Sequence, residues 1–400
     1  MKRIMIVTRI LTGGGAERVA ASLATYLKDK YEVLLVVIDG SKRTYETQAN
    51  TRFLDLSVFD KGNGLNRIKW FFTLYSRFKC VRKEYNPDCV ISFLTEPELM
   101  NALTSGHGKS VTSIRNVRSS VVKGKLKKAR DKWVFSKMDK IVSLSYNAKE
   151  DLIKNYGVPN EKVEVIYNVC EIDRIRNRIL EGCILDKEQA WINNNKTLIT
   201  LGRLTEQKAQ WHMIRAFKEV VNHDSEAKLV VLGEGDKKEY LQQLIKKLNL
   251  EDAVCLMGYK ENPYPYLANA AGFVFSSIYE GLGNSIVEAM ACGIPVISTD
   301  CNAGPRELLA PNTDFSKSTK DIELAEYGIL TPVCDGIEYE AEDPLTSEER
   351  KLAEAMIMLL DNKNISETYR NKSIERGQQF DTDKIVSQWC AVIEEDDENE

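Results

Sequence analysis

No run of about 18 consecutive apolar residues occurs anywhere in the 400-residue chain, although 43% of it is hydrophobic, so no transmembrane helix is expected. The N-terminal stretch MKRIMIVTRILTGGG starts basic, but its apolar run is broken by Arg9 and ends in glycines instead of a small-residue cleavage site. It reads as a buried first strand. Histidine is scarce: His107, His212 and His223 share no metal-ligand spacing with the cysteines, which disfavours a zinc site. No C-x-x-C pair exists among the nine cysteines (80, 89, 170, 183, 255, 292, 301, 334 and 390), so reduced thiols of a cytoplasmic protein are expected instead of a disulfide framework. Net charge is also small, at -4, but it is unevenly spread. Residues 1–170 hold 30 Lys and Arg against 17 Asp and Glu, a balance of +13, and the remainder carries -17. A basic half suits an anionic surface: membrane lipid, nucleic acid or a charged acceptor.

What is present points to two domains, because 400 residues exceed what one hydrophobic core usually organises. KRIMIVT, the glycine turn with GGGAERVAASLATYLKD, and EVLLVVID read as strand, helix and strand, a βαβ unit of a parallel sheet. DCVISFL, VTSIRN, KIVSLS and VEVIYN continue it. Residues 171–195 are charged, lack strand periodicity and end in an asparagine run, as a linker would. The pattern then restarts at TLITLGRL and alternates through AKLVVLGEG, AVCLMG, GFVFSS and IPVIST. The expected fold class is α/β, with two Rossmann-like doubly wound domains facing a central cleft. The expected boundaries are an N-terminal domain over 1–170, a linker over 171–195, a C-terminal domain over 196–375, and over 376–400 a helix packing back on the first domain with an acidic tail. Residues 310–350 read as an irregular, acidic surface insertion.

Three motifs carry chemistry. Gly13, Gly14 and Gly15 follow the first strand and open a helix, so their bare N–H groups suit either an anion or merely a tight turn. They are not a dinucleotide fingerprint, since Arg18 stands where the third glycine would be. In LGRLTEQK, Arg203 ends a strand and Lys208 follows in the loop, a guanidinium fork and a flexible ammonium suited to a diphosphate or, read alone, two solvated cations. In YEGLGNSIVEAMACGIPVIS, Glu280 ends a strand and Glu288 lies inside the next helix. Between them Gly281, Leu282, Gly283 and Asn284 form a loop with N–H groups, and Ser285 is placed to help cap the helix. Backbone donors suit phosphate and carboxylates suit hydroxyls, so the combination points to a ligand with both parts, such as a nucleotide sugar.

Over nearly its whole length the chain resembles the retaining GT-B glycosyltransferases of glycosyltransferase family 4. GGGAERV, VSLSYNAKEDLIKNYGVPNEKVEVIYN, LGRLTEQK, LVVLGEG, SSIYEGLGNSIVEAMACGIPVIST and NAGPRELL carry the likeness, and two glutamates with seven residues between them are that family's hallmark. The resemblance implies that Glu280 contacts the donor sugar and Glu288 the ribose, that Arg203 and Lys208 hold the diphosphate, and that Gly258, Tyr259 and Lys260 meet the nucleobase. Gly14, Gly15, Gly202, Gly233 and the loop from Gly281 to Ser285 would complete the donor site. Two departures are visible. Ala209 follows Lys208 where glycine is usual, and no histidine stands in the first domain near the sugar, where Glu96 or Arg115 would occupy that space on the acceptor side.

The resemblance implies transfer with retention and without a protein nucleophile, in which Arg203, Lys208 and helix N–H groups stabilise the leaving diphosphate in place of a metal. No cofactor and no metal are expected. The partners would be a nucleotide-sugar donor, with uracil the preferred base, and a glycan or lipid-linked acceptor, in cell-surface polysaccharide biosynthesis. Residues 67–85 and 121–137 interleave aromatics with cations, which suits peripheral attachment to the inner face of the cell membrane or an ordinary helix with solvated cations. Nucleic acid is not expected, since no known binding module is visible. The rival readings are a sugar-nucleotide epimerase or hydrolase of the same fold, and a catalytically silent partner subunit.

Overall fold

Short apolar runs alternating with amphipathic stretches build two parallel sheets. The computed structural model describes residues 1–12, 15–41, 52–59, 63–192 and 196–395. These divide into two units, one of residues 1–169 with the C-terminal helix Thr382–Glu394, the other Cys170–Asp381.

The first unit runs β1 (Arg3–Thr8), α1 (Gly15–Leu27), β2 (Glu32–Val37), β3 (Arg52–Asp55), α2 (Leu65–Tyr85), β4 (Cys89–Phe93), α3 (Thr95–Leu103), β5 (Lys109–Ile114), α4 (Arg118–Val121), α5 (Lys125–Ser136), β6 (Lys140–Ser143), α6 (Tyr146–Asp151) and β7 (Val163–Val165). Its sheet has the order β3-β2-β1-β4-β5-β6-β7, every pair parallel. Helices cover both faces, which is why the central strands β1, β4 and β5 are buried at nearly every position instead of alternating between buried and exposed. Ile4, Ile6, Leu35, Ile91 and Phe93 face Leu23 and Leu27 of α1 and Ile385, Trp389 and Ile393 of the C-terminal helix. Met5, Val7, Val36 and Val90 face Leu74 and Phe78 of α2 and Met100 of α3. The half-exposed edge strand β3 gives no signal in the sequence because its four residues, RFLD, neither alternate cleanly nor form an apolar run.

The second unit runs α7 (Ile172–Glu181), α8 (Asp186–Ile192), β8 (Thr197–Leu201), α9 (Gln210–His223), β9 (Lys228–Leu232), α10 (Lys238–Lys247), β10 (Val254–Gly258), α11 (Tyr264–Ala268), β11 (Gly272–Phe275), α12 (Asn284–Ala291), β12 (Val296–Thr299), α13 (Pro305–Leu309), β13 (Glu323–Leu324), β14 (Ile329–Thr331), α14 (Ser347–Asp361) and α15 (Lys363–Gly377). The sheet order is β10-β9-β8-β11-β12-β14-β13, parallel except for the β13–β14 pair. Two expectations are corrected here. The segment expected to be a linker forms α7 and α8: Ile172 and Ile175 are buried on α7, and Asn262 donates to the Arg178 carbonyl at 2.7 Å. Ile172, Ile175 and Ile179 recur at helical spacing, a stripe that the surrounding charges obscure when the segment is read for strands alone. The segment expected to be an irregular insertion contains β14, whose three buried residues pair with β12; a three-residue strand has too few positions to show a period.

In the second sheet the strand order reverses between β8 and β11, and in the first between β1 and β4. A parallel sheet binds ligands at the carboxyl ends of its strands at such a reversal, because the connections leave in opposite directions and open a crevice.

Candidate functional site

The chain leaves β8 through Gly202 and Arg203 and leaves β11 through Ser276 to Glu280, so the two motifs singled out by their charge lie at the reversal of the second sheet. The two loops are stitched together. The Ile278 N–H donates to the Gln207 carbonyl at 3.0 Å, Gln207 Nε2 to the Tyr279 carbonyl at 3.0 Å, and Ser276 Oγ to the Lys208 carbonyl at 2.9 Å. This framework brings Lys208 Nζ to 2.5 Å from Glu280 Oε1 and 4.6 Å from the centre of the Phe275 ring. Ser277 Oγ donates to the same carboxylate oxygen at 2.9 Å, and the Ser277 carbonyl accepts from Thr299 Oγ1 at 2.6 Å. The ammonium and carboxylate are 18% and 9% exposed, so both are largely desolvated yet still reach the surface.

Backbone geometry allows this approach. Gly233, at the end of β9, has φ +148°, and a Cβ there would lie 1.9 Å from the Gly202 carbonyl oxygen, so a side chain would displace the strand end that carries Arg203. Ala209 sits in the left-handed region at φ 46°, which explains why glycine is usual after the lysine. Arg203 is exposed and has no ion-pair partner among the described residues, while its carbonyl accepts from Gln210 Nε2 at 2.9 Å.

The loop after Glu280 leads into α12, whose N-cap is Gly283 at φ 93° with no side-chain cap. The expectation that Ser285 helps cap this helix is corrected: the N-cap is Gly283, and Ser285 lies two positions past it, inside the first turn. Glu288 is half-buried in the second turn of α12, and Leu282 is buried beneath the loop. The conjunction NAGPRELL closes the far side. Gly304 comes so near Leu282 that a Cβ would lie 1.9 Å from its carbonyl oxygen, and Arg306 is clamped by Asp300 at 2.5 Å and Glu323 at 2.7 Å.

Lys260, expected near the nucleobase, is paired within the second unit. Its ammonium lies 2.8 Å from Glu188 Oε1, and Tyr266 donates to the other oxygen at 2.5 Å. Burial alone would raise the Glu188 pKa, but these two bonds outweigh it and hold the carboxyl below its usual range. Lys260 thus fastens α8 to the loop after β10, while Gly258 turns at φ 71° and Tyr259 is left 75% exposed. Since Glu188 lies in the segment read as a linker, nothing in the sequence marked it as a partner.

In the first unit Gly15 opens α1, whereas Gly13 and Gly14 lie outside the described residues. Glu96 and Arg115 follow β4 and β5 and have separate partners: Glu96 lies 3.9 Å from Arg9, and Arg115 Nη1 donates to the Ile166 carbonyl and Asn168 Oδ1, each at 3.3 Å. Ser277, Gln207 and Thr299 are the residues that composition and spacing did not single out, because a serine or glutamine acquires a role only when another loop comes near. Among the described residues, no group of three or more His, Cys, Asp or Glu side chains is placed to hold a metal.

A family model described as Glycosyltransferase Family 4 matches residues 13–174, and one described as Glycosyl transferases group 1 matches residues 184–330. An uncharacterized glycosyltransferase of Methanocaldococcus jannaschii is 34% identical over 349 residues, covering 82% of this chain and 85% of that protein. The N-acetylgalactosamine-N,N'-diacetylbacillosaminyl-diphospho-undecaprenol 4-alpha-N-acetylgalactosaminyltransferase of Campylobacter jejuni is 29% identical over 395 residues, 96% of this chain and 98% of that one. Among solved structures, Anabaena HepE in complex with UDP and glucose superposes with a TM-score of 0.75 at 19% identity over 98% of this chain and 99% of that one, a likeness of fold.

Proposed function

The chain belongs to glycosyltransferase family 4 and has the GT-B type of α/β fold, and we propose that it moves a hexose-type sugar from a UDP-sugar to a glycan or lipid-linked acceptor with retention of anomeric configuration, in cell-surface polysaccharide synthesis. One observation carries this reading: the Lys208–Glu280 pair at the strand-order reversal, beside the uncapped amino end of α12. An ammonium and backbone N–H groups suit the diphosphate, and a carboxylate suits sugar hydroxyls. The Anabaena complexes with UDP and with UDP-glucose favour uridine as the base, and the name of the Campylobacter enzyme favours a lipid-linked acceptor.

In this reading Arg203 and Lys208 meet the diphosphate, Glu280 the sugar and Glu288 the ribose. The bond from the anomeric carbon to the diphosphate breaks while the acceptor hydroxyl attacks from the same face, and the departing diphosphate takes the hydroxyl proton. The contribution of the protein is electrostatic: fixed cations stabilise the charge that develops on the leaving group, in the place a divalent ion would otherwise fill. Turnover that persists in excess chelator, with a product of the donor's anomeric configuration by NMR, is the expected result; a requirement for added metal or an inverted product would overturn it.

Arg203→Ala is expected to weaken UDP binding roughly 10- to 100-fold, the scale of one charged hydrogen bond at about 1.5–3 kcal/mol. Because Arg203 is exposed, its melting temperature should match that of the parent. Calorimetry with UDP checks this, and unchanged affinity would remove Arg203 from the diphosphate site.

The acceptor side is proposed to meet an anionic membrane. No helix among the described residues is long and apolar enough to cross one. Leu65, Ile68 and Phe72 are spaced along α2 at helical intervals and are 83%, 56% and 62% exposed, with Arg67 and Lys69 also exposed among them. Val121 and Leu126, 61% and 89% exposed, flank Lys123 and Lys125 around the start of α5. Apolar residues edged by cations suit shallow insertion into an anionic leaflet. Reversing Lys125, Lys127 and Lys128 to glutamate should lower binding to phosphatidylserine vesicles by more than tenfold, at about 1 kcal/mol for each basic residue near the surface. Co-sedimentation that does not respond to these changes or to salt would point to a soluble acceptor.

A further inference from the structure

The carboxyl end of the first sheet holds polar atoms that the fold leaves without partners. Arg115 follows β5 with its guanidinium 5.7 Å from the centres of both the Phe93 and Trp389 rings. Only Nη1 is hydrogen-bonded; Nε and Nη2, which form the side-on fork of the guanidinium, are buried without a hydrogen-bond partner. No carboxylate pairs with it among the described residues. Arg118, three residues on, shows the ordinary solution, with Glu98 at 2.7 Å and Asp131 at 2.8 Å. A guanidinium without a counter-ion and with Nε and Nη2 buried and unpaired is costly, and the fold keeps Arg115 in that state. Burial accordingly pulls its pKa below the usual value.

Two more unpaired donors lie on the same face. Thr8 Oγ1 and Ser113 Oγ are buried without partners. Ser113 pairs with Phe93 across β5 and β4, and Val7 pairs with Ser92 across β1 and β4, which sets Thr8 in the same row one residue beyond. Thr8 also pairs with Val37, which shares a core with Phe93 and Trp389. Thr8, Ser113 and Arg115 therefore share one face of the sheet at the carboxyl ends of β1 and β5, on either side of Phe93. Asn116 Oδ1, also buried and unpaired, adds an acceptor next in the chain that a ligand hydroxyl would satisfy.

We propose that Arg115, Ser113 and Thr8 form a receptor for a phosphate or diphosphate group carried by the acceptor. The guanidinium fork takes two oxygens, which exhausts a carboxylate but leaves a phosphoryl group with oxygens for the two hydroxyls. The inference rests on the reading that this unit handles the acceptor, and it narrows that acceptor to a phosphorylated molecule.

The test titrates the full chain with inorganic pyrophosphate by calorimetry while saturating UDP occupies the donor site. The parent is expected to bind, Arg115→Met to bind at least tenfold more weakly, Arg115→Lys to fall between, and Ser113→Ala and Thr8→Val each to lose severalfold. Arg115→Met should melt at or above the parent temperature, since it removes an uncompensated buried charge while keeping apolar volume between the two rings. Equal pyrophosphate affinity in the parent and Arg115→Met, or no binding by the parent, overturns the proposal, as does a lower melting temperature with unchanged affinity, which marks a structural arginine. Loss of UDP affinity in Arg115→Met assigns the group to the donor diphosphate and overturns the acceptor assignment. A parent chain that fails to bind UDP overturns the donor reading instead, and the comparison of the two chains with pyrophosphate alone still decides the role of Arg115.

Discussion

Lys208→Ala is expected to lower kcat/KM on the order of a hundredfold, about 3 kcal/mol of transition-state stabilisation, while Glu280→Gln lowers kcat with UDP binding unchanged or tightened. The reasoning starts from their contact at 2.5 Å. When a donor enters, the ammonium can exchange the carboxylate for a diphosphate oxygen, and the carboxylate is then released toward sugar hydroxyls. Phe275 on one side of the ammonium and the hydrogen bond from Ser277 to the carboxylate keep both groups positioned throughout, so little reorganisation is needed as charge develops on the leaving group. Removing Lys208 takes away the fixed cation and leaves Glu280 without its counter-ion next to an incoming anion, which penalises diphosphate binding twice. Removing the charge of Glu280 does the opposite for free UDP, because a negative neighbour disappears, yet the sugar loses its orienting partner. UDP calorimetry and steady-state kinetics on the two variants separate these effects. Full turnover by Glu280→Gln, or undiminished UDP affinity in Lys208→Ala, would dissolve the assignment.

The second large effect is structural. Glu349→Ala is expected to destabilise the second unit by about 3–5 kcal/mol, the scale for breaking one side of a buried ion pair, with about 1 kcal/mol more from a lost helix cap. Glu349 is buried under α9. His212 Nδ1 and Arg215 Nε lie 2.8 and 2.9 Å from its Oε1, and the Thr346 N–H donates to Oε2 at 2.9 Å in a capping box that begins α14. The Gly336 N–H donates to His212 Nε2 at 3.2 Å, so Nδ1 carries the ring proton and donates to the carboxylate. Arg215 also holds the carbonyls of Asp343 and Pro344, so the triad ties the loop before α14 to α9. Burial would raise the Glu349 pKa, but the bonds from His212, Arg215 and Thr346 more than offset it and hold the carboxyl below its ordinary value. Because the folded state has the lower pKa, this stabilisation is complete above the unfolded carboxylate pKa of about 4.3 and is lost as pH falls from there through the folded value. Chemical denaturation of the parent and of Glu349→Gln between neutral pH and pH 3 should show the parent losing stability more steeply. A Glu349→Ala chain within about 1 kcal/mol of the parent would show that the triad contributes little.

The amino-acid order determined most of both sheets where strands are buried on two faces, since short runs rich in apolar and β-branched residues between turn signals admit little else. It also determined the composition of the loops at the second reversal: Arg203 and Lys208 after one strand, Glu280 after another and Glu288 on the following helix are legible because their charges stand beside glycine-rich turns at strand ends. Tertiary structure decided what those groups face. Lys208 and Glu280, 72 positions apart, become partners only because β8 and β11 are neighbours in the sheet. Lys260 was readable as a cation beside Tyr259, but its partner Glu188 comes from α8, a helix whose one buried residue, Ile192, is too little to announce it. Arg115 was visible as a residue standing where histidine is usual, yet its missing counter-ion is a property of the space between Phe93 and Trp389, almost 300 residues apart in sequence. Local pattern is written in short-range spacing, whereas pairing and desolvation depend on which distant segments the chain brings together, and a single sequence contains no direct record of that proximity.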